Sequence, residues 1–160
     1  MPIVYDKSRK IFHLQAGDTS YIMQIVKEKY LVHLYWGRRI SSYHESRRII
    51  WKDRGFAPNP DTSDRTFSLD TLPQEYPQTG NGDFRNPAYG IRQENGSRIS
   101  NLEYIGYEIS DGKPKLPGLP ASSGSKKDVQ TLKVYMEDAV AGLKVCLLYS
   151  VFASESVITR

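Results

Sequence analysis

The chain has 160 residues, 39% of them hydrophobic, a length and composition that suit one folded domain with its own core. Its 22 basic and 18 acidic residues are interspersed and give a net charge of +4 without a dense stripe of one sign, which argues against a nucleic-acid-binding protein. Residues 1–10 lack the apolar core of a signal peptide and no run is long enough to span a membrane, so the sequence predicts a cytoplasmic protein.

Short β-strands are predicted over the first 36 residues. The candidate runs are rich in β-branched and aromatic residues, and turn-forming residues separate them. No window in this part gives an apolar period of 3.6 residues over three turns, so helices are not expected. The predicted strands cover residues 3–5, 10–15, 21–26 and 30–36.

The segment 53–90 differs from the rest of the chain because it holds five of the nine prolines. Proline lacks the N–H that a strand ladder or a helix interior requires, so regular structure cannot continue here for long. Aromatic and leucine residues are nevertheless spaced through the segment, which distinguishes it from a disordered linker. We therefore predict a long structured loop that is presented on the surface.

More strands are predicted after this loop, at residues 100–109, 129–137, 143–153 and 157–159. Asn95-Gly96 is a strong hairpin signal, and the Pro-, Gly- and Ser-rich residues 113–127 indicate a surface connection. Many short strands with frequent turns are typical of an all-β sandwich or barrel. Because an apolar β run reaches Arg160, we expect residues 1–160 to be one domain of a longer polypeptide.

Candidate chemical groups are sparse. Aspartates and a glutamate in segment 53–90 make an acid/base pair possible, although aspartate in such loops usually caps turns. The three histidines have no metal-ligand spacing, and a lone cysteine, Cys146, within an apolar run is predicted to be a buried core residue. No complete active site, metal site or cofactor site is predicted.

A binding site is better supported, in the run WKDRGF at residues 51–56. Trp51 and Phe56 offer flat apolar faces, while Asp53 and Arg54 offer a charged acceptor and donors. Carbohydrate recognition uses this mixture, and so do protein interfaces, where Trp and Arg are favoured. Composition alone leaves both possibilities open.

The run FSLDTLPQEYPQTGNGDFRNPAY at residues 67–89, with GRRI at 37–40 and DRGF at 53–56, resembles the N-terminal domain of bacterial α-galactosidases of glycoside hydrolase family 36. The pattern GDFRxPA, typical of that family, is intact at residues 82–88. The resemblance extends over essentially the whole chain.

The resemblance implies a large twisted β-supersandwich that precedes a catalytic (β/α)₈ barrel. It implies retaining hydrolysis of terminal α-galactosides such as melibiose and raffinose, with both catalytic aspartates in the barrel and hence none in this chain. It also implies a homotetramer in which a loop of one subunit completes the substrate site of a neighbour. The corresponding residues here are Asp53, Arg54 and Phe56, with Trp51 beside them.

Three hypotheses therefore stand at this stage. In the first, the chain is an accessory domain of an α-galactosidase, inactive alone, that supports a homo-oligomer, completes the α-galactoside site of a neighbouring subunit and needs no cofactor. Alternatively, it is a stand-alone carbohydrate-binding module, or a β-sandwich interaction module that has no role in sugar binding.

Overall fold

The computed structural model describes residues 2–44, 49, 53, 55, 59–118 and 122–160. Within them the chain forms eight β-strands and one short 3₁₀ helix, Leu69–Thr71. The strands are β1 (Ile3–Asp6), β2 (Ile11–Ala16), β3 (Thr19–Val26), β4 (Tyr30–Arg38), β5 (Glu103–Asp111), β6 (Val129–Asp138), β7 (Leu143–Phe152) and β8 (Val157–Thr159). In this described part, no helix is long and apolar enough to cross a membrane.

The strands form two four-stranded sheets, β1-β2-β3-β4 and β5-β6-β7-β8, in which neighbours in sequence pair antiparallel. In the first sheet Phe12 faces Met23, and in the second Val134 faces Leu147. The two sheets pack face to face, and the predicted all-β sandwich is confirmed. Each predicted strand is present, with ends that differ by up to three residues.

The main core lies between the two sheets. Alternate residues of each strand point into it because successive side chains of a strand face opposite sides. Phe12 and Leu14 of β2 share this core with Leu132 and Val134 of β6, and all four are essentially inaccessible to solvent. This shared core fixes the two sheets against each other.

A second core covers the other face of the first sheet. Val32 and Leu34 of β4 pack there against Phe67, Leu69 and Leu72 of the proline-rich segment. The backbone of this segment also bonds to β4, since the N–H of His33 donates to the Pro73 carbonyl at 2.8 Å. The segment is therefore a third layer of the sandwich, and its predicted ordered structure is confirmed for its described residues.

Two local predictions were wrong. Cys146 is exposed, because the alternation along β7 turns it to the outer face of the second sheet. Asn95-Gly96 does form a tight turn, in which the Gly96 N–H donates to the Gln93 carbonyl at 2.9 Å, but no strand flanks it. It shapes a surface loop instead of a β-hairpin.

Candidate functional site

Of the four residues predicted to bind substrate, the structure describes Asp53. Trp51, Arg54 and Phe56 lie outside the described residues. The Asp53 side chain is 59% exposed, and its Oδ1 lies 4.0 Å from the Arg65 guanidinium, which is itself 82% exposed. An accessible carboxylate thus lies beside an accessible guanidinium, and Arg65 is a candidate residue that the sequence analysis did not single out.

The turn that carries Arg65 is held by its own side chains. The Asn59 amide donates to the Asp64 carbonyl at 2.8 Å, and Asp61 Oδ1 accepts hydrogen bonds from both the N–H and the hydroxyl of Ser63. Asp64 Oδ1 likewise accepts hydrogen bonds from the N–H and the hydroxyl of Thr66. Consecutive side-chain turns of this kind fix the backbone on both sides of Arg65.

Lys27 attaches this turn to the first sheet. Its Nζ lies 3.0 Å from Asp61 Oδ2 and 2.8 Å from Asp64 Oδ2. Hydrogen bonds from Ser63 and Lys27 lower the pKa of Asp61 to about 2, and those from Lys27 and Thr66 lower the pKa of Asp64. Both carboxylates are therefore ionised at neutral pH and engaged within the turn.

Phe67 anchors the same turn to the second core. Its ring is 1% exposed, lies 5.7 Å from the Tyr30 ring between centroids, and has the Lys27 ammonium 5.5 Å above it. Burial of such an aromatic side chain contributes roughly 1.5–3 kcal/mol. The exposed Arg65 therefore lies two residues before Phe67, whose side chain is fixed in the second core.

The family-typical GDFR run, residues 82–85, is a structural clamp. The Asp83 carboxylate is buried and accepts hydrogen bonds from Arg85 Nε at 2.8 Å and Nη2 at 2.7 Å. The same Nη2 also donates to the carbonyls of Leu69 and Leu72, at 3.0 and 2.8 Å. Burial raises the pKa of Asp83, but hydrogen bonds from Arg85 outweigh it and leave that pKa lowered. Asp83 is therefore ionised at neutral pH, and its pairing with Arg85 holds the segment together.

Glu75 is the centre of a buried polar network that sequence patterns did not reveal. Its carboxylate accepts hydrogen bonds from the hydroxyl of Tyr21 in β3 and, at 2.7 Å, from that of Tyr149 in β7. Arg160 Nη1 lies 3.1 Å from the Glu75 carbonyl oxygen and 3.5 Å from its carboxylate. His33 Nδ1 lies 3.5 Å from the same carboxylate. The network joins both sheets to the proline-rich segment.

Among the described carboxylates of the proline-rich segment, several are held within the structure, whereas the Asp53 side chain is 59% exposed. Asp61, Asp64, Glu75 and Asp83 all engage neighbouring side chains, and the Ser68 hydroxyl donates to Asp70. Asp61 and Asp64 cap turns, as expected of aspartate in such a loop, whereas Glu75 and Asp83 pair with side chains of other residues. No acid/base pair emerges from these four carboxylates. Asp53, with Arg65 beside it, is the arrangement best suited to bind hydroxyl groups of a ligand.

Comparison with protein families connects this geometry to known proteins. The model described as the glycosyl hydrolase family 36 N-terminal domain matches residues 29–160. Over the whole chain, 47% of residues are identical in alpha-galactosidase AgaA of Geobacillus stearothermophilus, and 42% over 99% of the chain in alpha-galactosidase Mel36A of Lactobacillus acidophilus. In both cases the chain spans 22% of the relative's length.

Solved structures agree with the sequence comparison. The α-galactosidase AgaB of Geobacillus stearothermophilus superposes on 99% of this chain with a TM-score of 0.90 and 48% identity, which accounts for 21% of the AgaB chain. AgaA of the same organism, as a variant solved in complex with raffinose, gives a TM-score of 0.88 over 93% of this chain. The sandwich and its third layer are therefore shared with these enzymes.

Proposed function

Because this chain belongs to the glycosyl hydrolase family 36 N-terminal domain family, we propose that it serves an α-galactosidase that hydrolyses terminal α-galactosides such as melibiose and raffinose. The observation that supports this most is the 47% identity to AgaA over the entire chain. A structure of an AgaA variant holds raffinose, and another holds stachyose. The proposed enzyme is cytoplasmic.

In this proposal the chain supplies binding groups and the catalytic carboxylates lie elsewhere in the polypeptide. A retaining glycosidase needs two carboxyl groups about 5–5.5 Å apart on either side of the scissile bond. The pKa values of Asp61, Asp64 and Asp83 are lowered and their carboxylates are held in turns or ion pairs, so these three acids are poor candidates for proton transfer. The 160-residue chain alone is therefore inactive.

Asp53 and Arg65 are proposed to reach the galactoside bound by a neighbouring subunit of a homo-oligomer. A carboxylate accepts hydrogen bonds from sugar hydroxyls, and a guanidinium donates to their oxygen atoms. Both side chains are exposed, while Lys27 and Phe67 fix the turn on which Arg65 stands. Trp51, Arg54 and Phe56 complete the proposed contact as the apolar and cationic groups of the same run.

The test is Asp53→Ala in the complete enzyme. Loss of a charged acceptor from a sugar contact costs roughly 1.5–3 kcal/mol, which corresponds to about a 10- to 150-fold fall in kcat/KM for raffinose. The melting temperature should stay nearly unchanged because Asp53 is exposed. Arg65→Ala should also lower kcat/KM.

Asp18→Ala is the matched control, since Asp18 is likewise an exposed aspartate. It should leave kcat/KM at the wild-type value. Wild-type kinetics in Asp53→Ala would refute the substrate contact, and absence of α-galactosidase activity in the complete polypeptide would refute the enzyme assignment. Saturable binding of galactose, melibiose or raffinose to the isolated chain would favour a stand-alone carbohydrate-binding module.

A further inference from the structure

A cavity of about 490 Å³ lies beside the loop 91–100, and neither Asp53 nor Arg65 lines it. Two cationic residues, Arg92 and Arg98, form part of its wall, and both are exposed. No acidic residue of the described chain lines this cavity, whose other walls are formed by neutral residues: Thr79, Pro87, Tyr89, Gly90, Ile91 and Ser100. A concave surface lined by one sign of charge attracts ligands of the opposite sign.

The backbone of the loop places the two arginines side by side. The Gln93 N–H donates to the Ser97 carbonyl at 2.9 Å, so positions 92 and 98 are neighbours across a narrow turn. The odd-numbered residues from 93 to 99 line a separate cavity of about 670 Å³, whereas Arg92 and Arg98 line this one. Side chains therefore alternate between two sides of the loop, and both arginines are on the same side.

The loop is held by its own hydrogen bonds. The Gly96 N–H donates to the Gln93 carbonyl at 2.9 Å, in a turn where the positive φ of 83° suits glycine. Asn95 Oδ1 accepts from the Ser97 N–H at 2.9 Å, and Gln93 Nε2 donates to the Ile99 carbonyl at 3.1 Å. The two arginine side chains thus start from a fixed backbone, which lowers the entropic cost of binding a ligand between them.

The opposite wall of the cavity is equally well fixed. The Tyr89 ring stacks on the Tyr76 ring with 5.1 Å between centroids and 6° between planes, and the Tyr89 hydroxyl lies 2.7 Å from Ser100 Oγ. The Ser100 N–H donates to the Thr79 carbonyl at 3.0 Å. This wall combines an aromatic ring with the Thr79 hydroxyl, a neutral hydrogen-bond donor.

The two arginines also differ from others in the chain by their lack of a carboxylate partner. Four other arginines each lie within 4.0 Å of a carboxylate: Arg9, Arg65, Arg85 and Arg160. Among the residues that the structure describes, no ion pair involves Arg92 or Arg98. Glu94, the acidic residue of the loop, is exposed and lines neither cavity. Two like charges on one side of a short turn repel each other, and an anion bound between them relieves this repulsion.

We propose that this cavity is a binding site for a phosphoryl group, with Arg92 and Arg98 as its charged ligands. A phosphate monoester carries a charge of about −1.5 to −2 at pH 7, which matches two guanidiniums better than a single carboxylate does. Its three terminal oxygen atoms fit the fork of donors that each guanidinium presents. The source is either free phosphate or a phosphorylated sugar, whose ring would contact the Tyr89 side of the cavity.

The proposal is tested by NMR titration of the chain in a phosphate-free buffer at constant ionic strength. The probes are inorganic phosphate, glucose 6-phosphate and glucose. Both phosphates should cause saturable shifts of the amide signals of Gly90, Arg92, Arg98 and Ser100, and glucose should cause none. Tighter binding of glucose 6-phosphate would identify a sugar phosphate as the ligand, and equal binding would identify free phosphate, so either result supports the site.

Three variants that each lose one positive charge separate a specific site from general attraction. Arg92→Gln and Arg98→Gln should each raise the Kd for the tighter phosphate by about fivefold or more. Arg38→Gln is the matched control, because Arg38 is an exposed arginine of β4 that does not line the cavity. It should change the Kd by less than about twofold.

The absence of saturable shifts with both phosphates would overturn the proposal, and so would an equal response to glucose. Equal weakening by all three variants would also overturn it, because binding would then depend on net charge alone. Tighter binding of hexaglutamate than of either phosphate would contradict it as well, since an acidic segment of a partner protein would then be the better occupant. No galactoside enters the measurement, so its failure and the failure of the proposed function are distinguishable.

Discussion

The hydrogen bond from Tyr149 to Glu75 should be a principal link between the second sheet and the proline-rich segment. The Tyr149 hydroxyl donates to the buried carboxylate at 2.7 Å, and the side chain is 2% exposed. Tyr149→Phe removes this donor while the ring keeps its packing. A hydrogen bond to a charged group contributes about 1.5–3 kcal/mol, and its loss leaves part of a buried carboxylate unsatisfied.

For a chain of this length, that loss corresponds to a fall of about 3–12 °C in melting temperature. Tyr135→Phe is the control, because its hydroxyl donates to Glu108 Oε2 at 3.0 Å in an exposed pair on the outer face. Its effect should stay within about 0.5 kcal/mol. Urea unfolding followed by circular dichroism measures both variants, and equal destabilisation by the two would refute the role of the Glu75 network.

Two further predictions concern the same scaffold. Asp83→Asn should destabilise the protein by about 1.5–3 kcal/mol, because the half-exposed Arg85 guanidinium loses hydrogen bonds to a charged acceptor. Limited proteolysis should then cut within residues 59–90 first, and unchanged cleavage there would contradict the clamp. Burial raises the pKa of Tyr30 to about 12 and that of Tyr104 to about 12, so the folded state keeps protons that the unfolded state loses near pH 10. Stability should therefore fall as the pH rises from about 10 to 12, and a free energy of unfolding that is constant over this range would contradict the burial of these phenols.

The strands could be predicted because residues with a high β-propensity occur at the positions that the fold places in strands. Val129, Leu132 and Val134 lie in a β-branched and aliphatic run, and the fold buries them as the pattern indicates. The outward position of Cys146 could not be predicted, because the face of each residue depends on the register between β6 and β7. A one-residue shift would have buried it.

The third layer was only partly predictable. The prolines and aromatic residues of segment 53–90 indicated an ordered loop, but they did not indicate that Phe67 and Leu72 cover the back of the first sheet. The Glu75 network could not be predicted for a related reason, since Tyr21, Tyr149 and Arg160 are 54, 74 and 85 residues away from Glu75 in the sequence. Composition cannot distinguish a buried, fully paired glutamate from a surface one.

The resemblance pointed to Asp53 as a candidate residue, whereas Arg65 was not singled out. Nothing in the sequence distinguishes Arg65 from the other arginines, because its proposed role depends on the turn that places it 4.0 Å from Asp53. The side-chain turns of Asp61 and Asp64 that build this arrangement were anticipated only as a general habit of aspartate in loops.

The most direct test of the proposed site mixes two impaired versions of the complete enzyme. One carries Asp53→Ala and the other lacks a catalytic carboxylate of its own active site. Dissociation and reassembly of the two together should raise hydrolysis of raffinose above the sum of the two separate activities, because some mixed oligomers pair an intact Asp53 with an intact catalytic site in the neighbouring subunit. Activity no higher than the sum of the two separate versions would contradict the claim that Asp53 acts across a subunit interface.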